Sequence, residues 1–310
     1  GSVAFVNITY LKDIQIFKTS DFHVSNVDKY IQKNKKIIVF VSPSWYKSNC
    51  TIQSVKMLLS NCFISFIIIL YSDETERDFY QTEITNKTNK QHHKKIDYIY
   101  CNHGAFVDET HFFINNTSEN RKYDLVINAK YSAYKNRKVA SLCSNTVHIG
   151  YTSKDQNHSN IVFPTFGTII DQNNELLSHE KINEILNNSK VGGMFSPIEG
   201  ACKASVEYLL CGLPCVSIEN KGGRNIWYNN KNSIICENNV ESVKNAVDKC
   251  IENLNNGTFN RNNIRDDYLE NRKKHHQVLI DYLFDKLKEL NISCTTKEIQ
   301  MITKDILKRH

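Results

Sequence analysis

Nearly unbroken apolar runs, set between amphipathic stretches, limit what this chain can fold into more than any other feature. Lys36 to Val41 reads KIIVFV and Phe63 to Leu70 reads FISFIIIL, with the amphipathic segment Thr51 to Leu59 between them. A strand with one wet face alternates apolar and polar residues, whereas a run without alternation suits a strand covered on both faces. The expected class is therefore α/β, with a parallel sheet and helices around it.

The pattern continues with a polar stretch, Thr85 to Lys95, expected to be a solvated loop or a helix end. Its adjacent His92 and His93 read as a surface tract rather than a metal pair. Ile96 to Tyr100 is an expected strand, and after Asn102 to Phe113 the polar run Asn115 to Lys122 is taken as a domain boundary. Beyond it, strands are expected at Asp124–Asn128, Thr146–Ile149, Ile161–Phe163, Val191–Phe195, Pro214–Ile218 and Ser233–Cys236. Helices are expected at Asn136–Leu142, His179–Leu186, Ala201–Leu210, Val240–Leu254 and Ile264 to about Leu290. Alternation at this spacing predicts two Rossmann-like domains with parallel sheets facing a central cleft. The expected division is a reduced N-terminal domain over residues 1–122, a second domain over 123–280, and C-terminal helices over 281–310 packing back across both.

Composition narrows the class further. In 310 residues, 40% hydrophobic and 23% charged content is that of a globular chain, which sets wholesale disorder aside. The net charge of +6 is spread along the chain, with no basic arm or stripe, so nucleic acid is not an expected partner. The basic balance does permit peripheral contact with an anionic membrane. Ten cysteines occur without a CxxC pair or zinc-like spacing, which reads as buried thiols of a reduced compartment, the cytoplasm. The longest apolar run, Cys62 to Tyr71, falls far short of the roughly 20 residues of a spanning helix. The chain opens Gly1-Ser2 with no Met following, as expected of a piece of a longer, multidomain polypeptide.

The most informative segment is Phe195 to Gly223, FSPIEGACKASVEYLLCGLPCVSIENKGG. On a helix, Glu199 and Glu207 would lie roughly 12 Å apart along the axis and within about 80° of each other around it, so both could face one elongated ligand. A nucleotide diphosphate sugar needs that arrangement, one carboxylate at the sugar and one at the ribose. Gly200 and Ala201 would open the helix with free backbone N–H groups, a site for phosphate. Taken alone, the same pair suits the solvated face of an ordinary amphipathic helix equally well.

The segment as a whole resembles the donor-binding region of GT-B glycosyltransferases, family 4 most closely. That family carries an E-x7-E motif, a CG-(L/I)-P-V-V-like strand and a Gly-Gly turn. Here they read Glu199 to Glu207, Cys211-Gly212-Leu213-Pro214-Cys215-Val216 and Lys221-Gly222-Gly223. The family's R-x4-K pair after the first strand of the second domain matches Lys130 and Lys135, with Lys in the Arg place, keeping charge but losing the bidentate fork. The resemblance runs from Tyr123 to around Ile280. It implies a hexosyltransferase-type enzyme using UDP- or GDP-linked sugar, acting with retention and with neither metal nor other cofactor, on a glycan or lipid-linked acceptor.

By that resemblance Lys130 and Lys135 would stabilise the departing diphosphate, Glu199 would hold the donor sugar, and Glu207 would bind the ribose. Gly200, Ala201 and Ser205 would border phosphate or ribose, Gly222 and Gly223 would let backbone approach the sugar or phosphate, and Pro164 and Thr165 would border the base. His103 is the candidate for the N-terminal-domain histidine that many relatives present near the donor sugar. Two departures stand out: Arg224-Asn225 follow the Gly-Gly turn where the family usually has Glu, and no Gly-rich loop marks the first domain. A nucleotide-sugar epimerase on the same fold and a non-catalytic sugar- or nucleotide-binding module are the alternatives.

Overall fold

The computed structural model describes residues 6–11, 14–20, 24–32, 34–43, 45–115, 120–152, 161–170, 177–200 and 202–307. It divides into two compact units, residues 1–107 with 272–310, and residues 108–271.

The first unit is built on strands β1 (Val6–Leu11), β2 (Ile14–Ser20), β3 (Lys36–Ser42), β4 (Ile64–Tyr71) and β5 (Ile96–Tyr100), lying side by side in chain order. β1 and β2 form an antiparallel hairpin, and β2 through β5 run parallel. Between them run helices α1 (Asn49–Leu59), α2 (Glu74–Lys87) and the single turn α3 (Lys90–His93). Right-handed crossovers between strands laid down consecutively place their helices on one face. There Ile37, Val39, Val41, Ile67 and Ile69 pack with Ile52, Val55 and Leu58 of α1 and Tyr80 and Ile84 of α2.

The other face carries Ile38, Phe40, Ile68 and Leu70, all buried as well. The end of the chain covers it. The long helix α7 (Arg261–Glu289) places Tyr282 Oη 2.6 Å from Asp97 on β5 and Lys286 Nζ 4.4 Å over the ring of Phe66 on β4. Helix α8 (Thr296–Leu307) packs against β1 and β2.

The second unit holds six parallel strands: β6 (Tyr123–Asn128), β7 (Thr146–Ile149), β8 (Thr168–Ile170), β9 (Ser189–Met194), β10 (Cys215–Ile218) and β11 (Ser233–Cys236). Their spatial order, β8-β7-β6-β9-β10-β11, starts at β6, goes outward one way and then returns to add the rest on the other side. The order reverses between β6 and β9, and in such sheets the carboxyl ends of the strands at the reversal form the ligand crevice. Helices α4 (His179–Asn187) and α5 (Lys203–Leu210) pack on β9, and α6 (Val240–Asn255) on β9, β10 and β11.

The structure corrects several expectations. The units divide at Val107/Asp108 rather than after Lys122, because the polar groups of Phe113 and Asn115 are bound by Asn183 and Asn187 of α4. At the other end the division falls inside α7, at Asn271/Arg272, earlier than residue 281. Asn136–Leu142 is not an α-helix but two 3-10 turns, Ala133–Lys135 and Arg137–Ala140, broken by Asn136 in the left-handed region at φ 50°. Ile161–Phe163 is irregular, and the edge strand lies later, after a turn at Gly167 with φ 74°. The first sheet is not wholly parallel, owing to the β1–β2 hairpin. No helix among the described residues is long and apolar enough to cross a membrane.

One close approach ties the second sheet to α5: a Cβ on Gly192 of β9 would lie 2.3 Å from Cδ2 of the fully buried Tyr208. Gly192→Ala must push the ring off the strand. It is expected to lower stability by about 1–3 kcal/mol in urea unfolding, in line with overpacking elsewhere.

Candidate functional site

At the carboxyl end of β6, Asn128 anchors helix α5 twice. Its backbone N–H donates to Tyr208 Oη at 2.7 Å, and its side-chain Nδ2 donates to Glu207 Oε2 at 3.0 Å. Glu207 is nearly buried, its carboxylate held beside the end of β6 rather than pointing into open water.

Glu199 follows the carboxyl end of β9 and is 3% exposed. It does not sit on α5, which begins only at Lys203, so the helical angle between the two glutamates does not apply. Its backbone N–H instead donates to Lys221 O at 3.0 Å, while Lys221 N–H donates to Pro197 O at 3.0 Å, a short parallel bridge beside the Gly-Gly turn. Its carboxylate forms an ion pair with Lys135 Nζ.

Lys135 closes the 3-10 turn that follows β6, and with its side chain 12% exposed it is nearly buried. Burial lowers the pKa of its ammonium; the neighbouring Cys202 thiol works the other way, and Arg224, Arg137 and Lys130 add positive charge that lowers it further. Glu199 supplies a counter-charge to this cluster through its ion pair with Lys135. Four cations and two buried carboxylates, Glu199 and Glu207, thus gather where the strand order reverses, a net positive arrangement suited to an anion.

The loop that carries Lys130 and Lys135 is shaped by a residue the sequence reading passed over. Arg137 is 5% exposed, and its guanidinium donates to the carbonyls of Ile127 and Ile149, at 3.2 Å each, and to Ala129 O. It also lies 4.7 Å from the ring centroid of Tyr131 and donates to His148 Nδ1 at 3.2 Å. Because an arginine can only donate, Nδ1 of His148 must be unprotonated. Gly150 completes the arrangement: a Cβ there would lie 2.7 Å from Ala129 O and 2.9 Å from Arg137 Nη2.

Among the other predicted residues, Gly200 lies in a bend just after Glu199, and Ala201 lies outside the described residues. Ser205 is fully buried and donates to Cys202 O at 2.8 Å, so it faces the packing and not a ligand. Gly222 and Gly223 have φ of 125° and 85°, which side chains rarely adopt, so glycine is required at this turn. Pro164 and Thr165 follow Phe163, whose ring lies 4.8 Å from Tyr131, and precede Phe166, 4.8 Å from His148. His103 belongs to the first unit, where Ser42 Oγ and its Nδ1 lie 2.8 Å apart. Among the described residues no three His, Cys, Asp or Glu side chains group as metal ligands.

Residues 174–275 match the family of glycosyl transferases group 1, a stretch that includes Glu199, Glu207 and the Gly-Gly turn. No curated protein matches the chain in sequence. Among solved structures, HepE of Anabaena in complex with UDP is similar, with a TM-score of 0.57 at 12% identity over 88% of this chain and 78% of that one. Sucrose-phosphate synthase from Thermosynechococcus elongatus is similar too, with a TM-score of 0.56 at 10% identity over 87% of this chain and 74% of the other. The chain has the GT-B fold. The family match and the GT-B fold together support a glycosyltransferase.

His148 gives the GT-B chain a test in acid. Burial, reinforced by the charge of Arg137, brings its pKa down to about 4 from 6.5. The unfolded chain therefore takes up a proton that the folded unit refuses, and stability falls as pH drops from about 6.5 towards 4. Urea unfolding at steps across that window is expected to show a smaller loss in His148→Gln than in wild type, His275 (also brought to about 4) and Glu76 (raised to about 7, of opposite sign) contributing in both.

Proposed function

We propose that this chain transfers a hexosyl group from a nucleotide-diphosphate sugar to a hydroxyl of a glycan or lipid-linked acceptor, retaining the anomeric configuration and using no metal ion. The observation that carries the reading is the junction of β6 and β9, where Lys135 pairs with Glu199, Lys130 lies close enough to act on Lys135, and Asn128 holds Glu207. Glu199 is ion-paired with Lys135. A bound diphosphate would compete for that ammonium and free the carboxylate to accept hydrogen bonds from donor-sugar hydroxyls.

As the glycosidic bond breaks, negative charge grows on the leaving diphosphate. Fixed cations in a site shielded from water stabilise such charge without having to reorganise. Lys130 and Lys135 would do this work, which is the role assigned to the basic pair in the family 4 resemblance. Glu207, steadied by Asn128, would accept the ribose hydroxyls, and the rim formed by Phe163, Pro164 and Thr165 would border the base. HepE is described in complex with UDP, with UDP-glucose, and with UDP and glucose, which favours a uridine donor here. Burial pushes the Cys143 and Cys236 thiols up to about 11, which fits a reduced cytoplasmic setting.

Calorimetric titration of UDP and GDP, in chelator and without divalent metal, tests the donor site. Wild type is expected to bind one of them, and Glu207→Ala to weaken that binding by about 10- to 100-fold, the worth of hydrogen bonds to a charged group. If wild type binds neither at millimolar concentration, the donor-site reading fails and a non-catalytic module takes its place.

A further inference from the structure

Arg224 is the largest fully buried side chain among the described residues, with no exposure at all. Its guanidinium donates to Ser217 Oγ at 3.0 and 3.2 Å, to Ser196 Oγ at 3.0 Å, and to the carbonyls of Met194 and Ile218 at 3.2 Å each. Two of these acceptors belong to the end of β9, which leads into Glu199. The others belong to β10, which leads into Lys221-Gly222-Gly223. Every one of these acceptors is a hydroxyl or a carbonyl, and among the described residues no carboxylate pairs with the guanidinium.

A buried cation without a counter-ion is costly, and an apolar residue of similar volume would fill the space more cheaply. A chain that keeps one there gains something from the charge. The field of Arg224 reaches the site, since it is among the groups that depress the ammonium of Lys135.

We infer that Arg224 is a positioning residue of the donor site, whose buried charge adds to the attraction for the diphosphate while its planar fork fixes the loops of Glu199 and Gly222–Gly223. The inference rests on the proposed donor site. Arg224 itself, having no exposed surface, acts through field and scaffold and does not touch the ligand. A purely structural role would weaken all nucleotides alike. A role through charge should weaken diphosphates more than monophosphates.

The experiment compares affinities for UDP against UMP, and GDP against GMP, in wild type, Arg224→Met, Arg224→Gln and Arg224→Lys, with folding checked by circular dichroism and thermal unfolding. The two neutral variants are expected to lose about tenfold of the diphosphate-over-monophosphate preference, as removal of a partly shielded unit charge implies. In both, the alkaline limit of diphosphate binding should move to higher pH, because Lys135 loses a repelling neighbour. Arg224→Lys restores the charge without the fork and is expected to keep the preference with weaker overall affinity. A folded neutral variant with an unchanged preference overturns the inference. If neither neutral variant folds, Arg224→Lys decides: loss of the preference, with monophosphate affinity kept, overturns it. A wild type that binds neither diphosphate overturns the proposed function, and this inference with it.

Discussion

Parallel strands must be covered on both faces, and the architecture of this chain follows from that requirement. In the second unit the requirement is met by reversing the strand order, so that crossovers fall on both sides of the sheet. At the reversal the chain leaves β6 and β9 towards opposite sides of the sheet, and Lys130, Lys135 and Glu199 stand on the segments that follow those two strands. The place of the site is thus a product of how the sheet is covered before it is a product of any motif.

What gathers there is an excess of positive charge held by rigid supports. Arg137 is bound by three carbonyls and a neutral imidazole, and Arg224 by hydroxyls and carbonyls, so neither is spent on a carboxylate. Lys135 alone is paired, with Glu199. That pair can exchange partners with a ligand that offers an anion to the lysine and hydroxyls to the glutamate. A diphosphate sugar offers both in one molecule.

Much of the fold was legible because β-branched runs such as those of β3 and β4 announce doubly covered strands, and β6, β9 and β10 too lie within a residue or two of where the strand–helix alternation places them. The β1–β2 hairpin escaped because Val6 to Leu11 alternates apolar with polar residues, the pattern of a strand with one wet face. Glu199 and Glu207 were legible as a pair, but not as a loop residue and a helix residue, since helical spacing cannot show that the Glu199 N–H is taken by Lys221. Arg137, His148 and Arg224 carry no spacing signal. Their importance comes from carbonyls converging at strand ends, which only the fold brings together. The one hint was that Arg224-Asn225 follow the Gly-Gly turn where the resembling family usually has a Glu.

The first sheet solves its covering problem differently. With its strands in chain order and its crossover helices on one side, the opposite face is closed by residues beyond Arg272, after the whole second unit has intervened in the sequence. During synthesis, the second unit can finish folding while the first still shows Ile38, Phe40, Ile68 and Leu70 to the surroundings. Of the two units, the one that leaves the ribosome first is therefore the last to be completed, and for that interval its safety depends on chaperones or on speed.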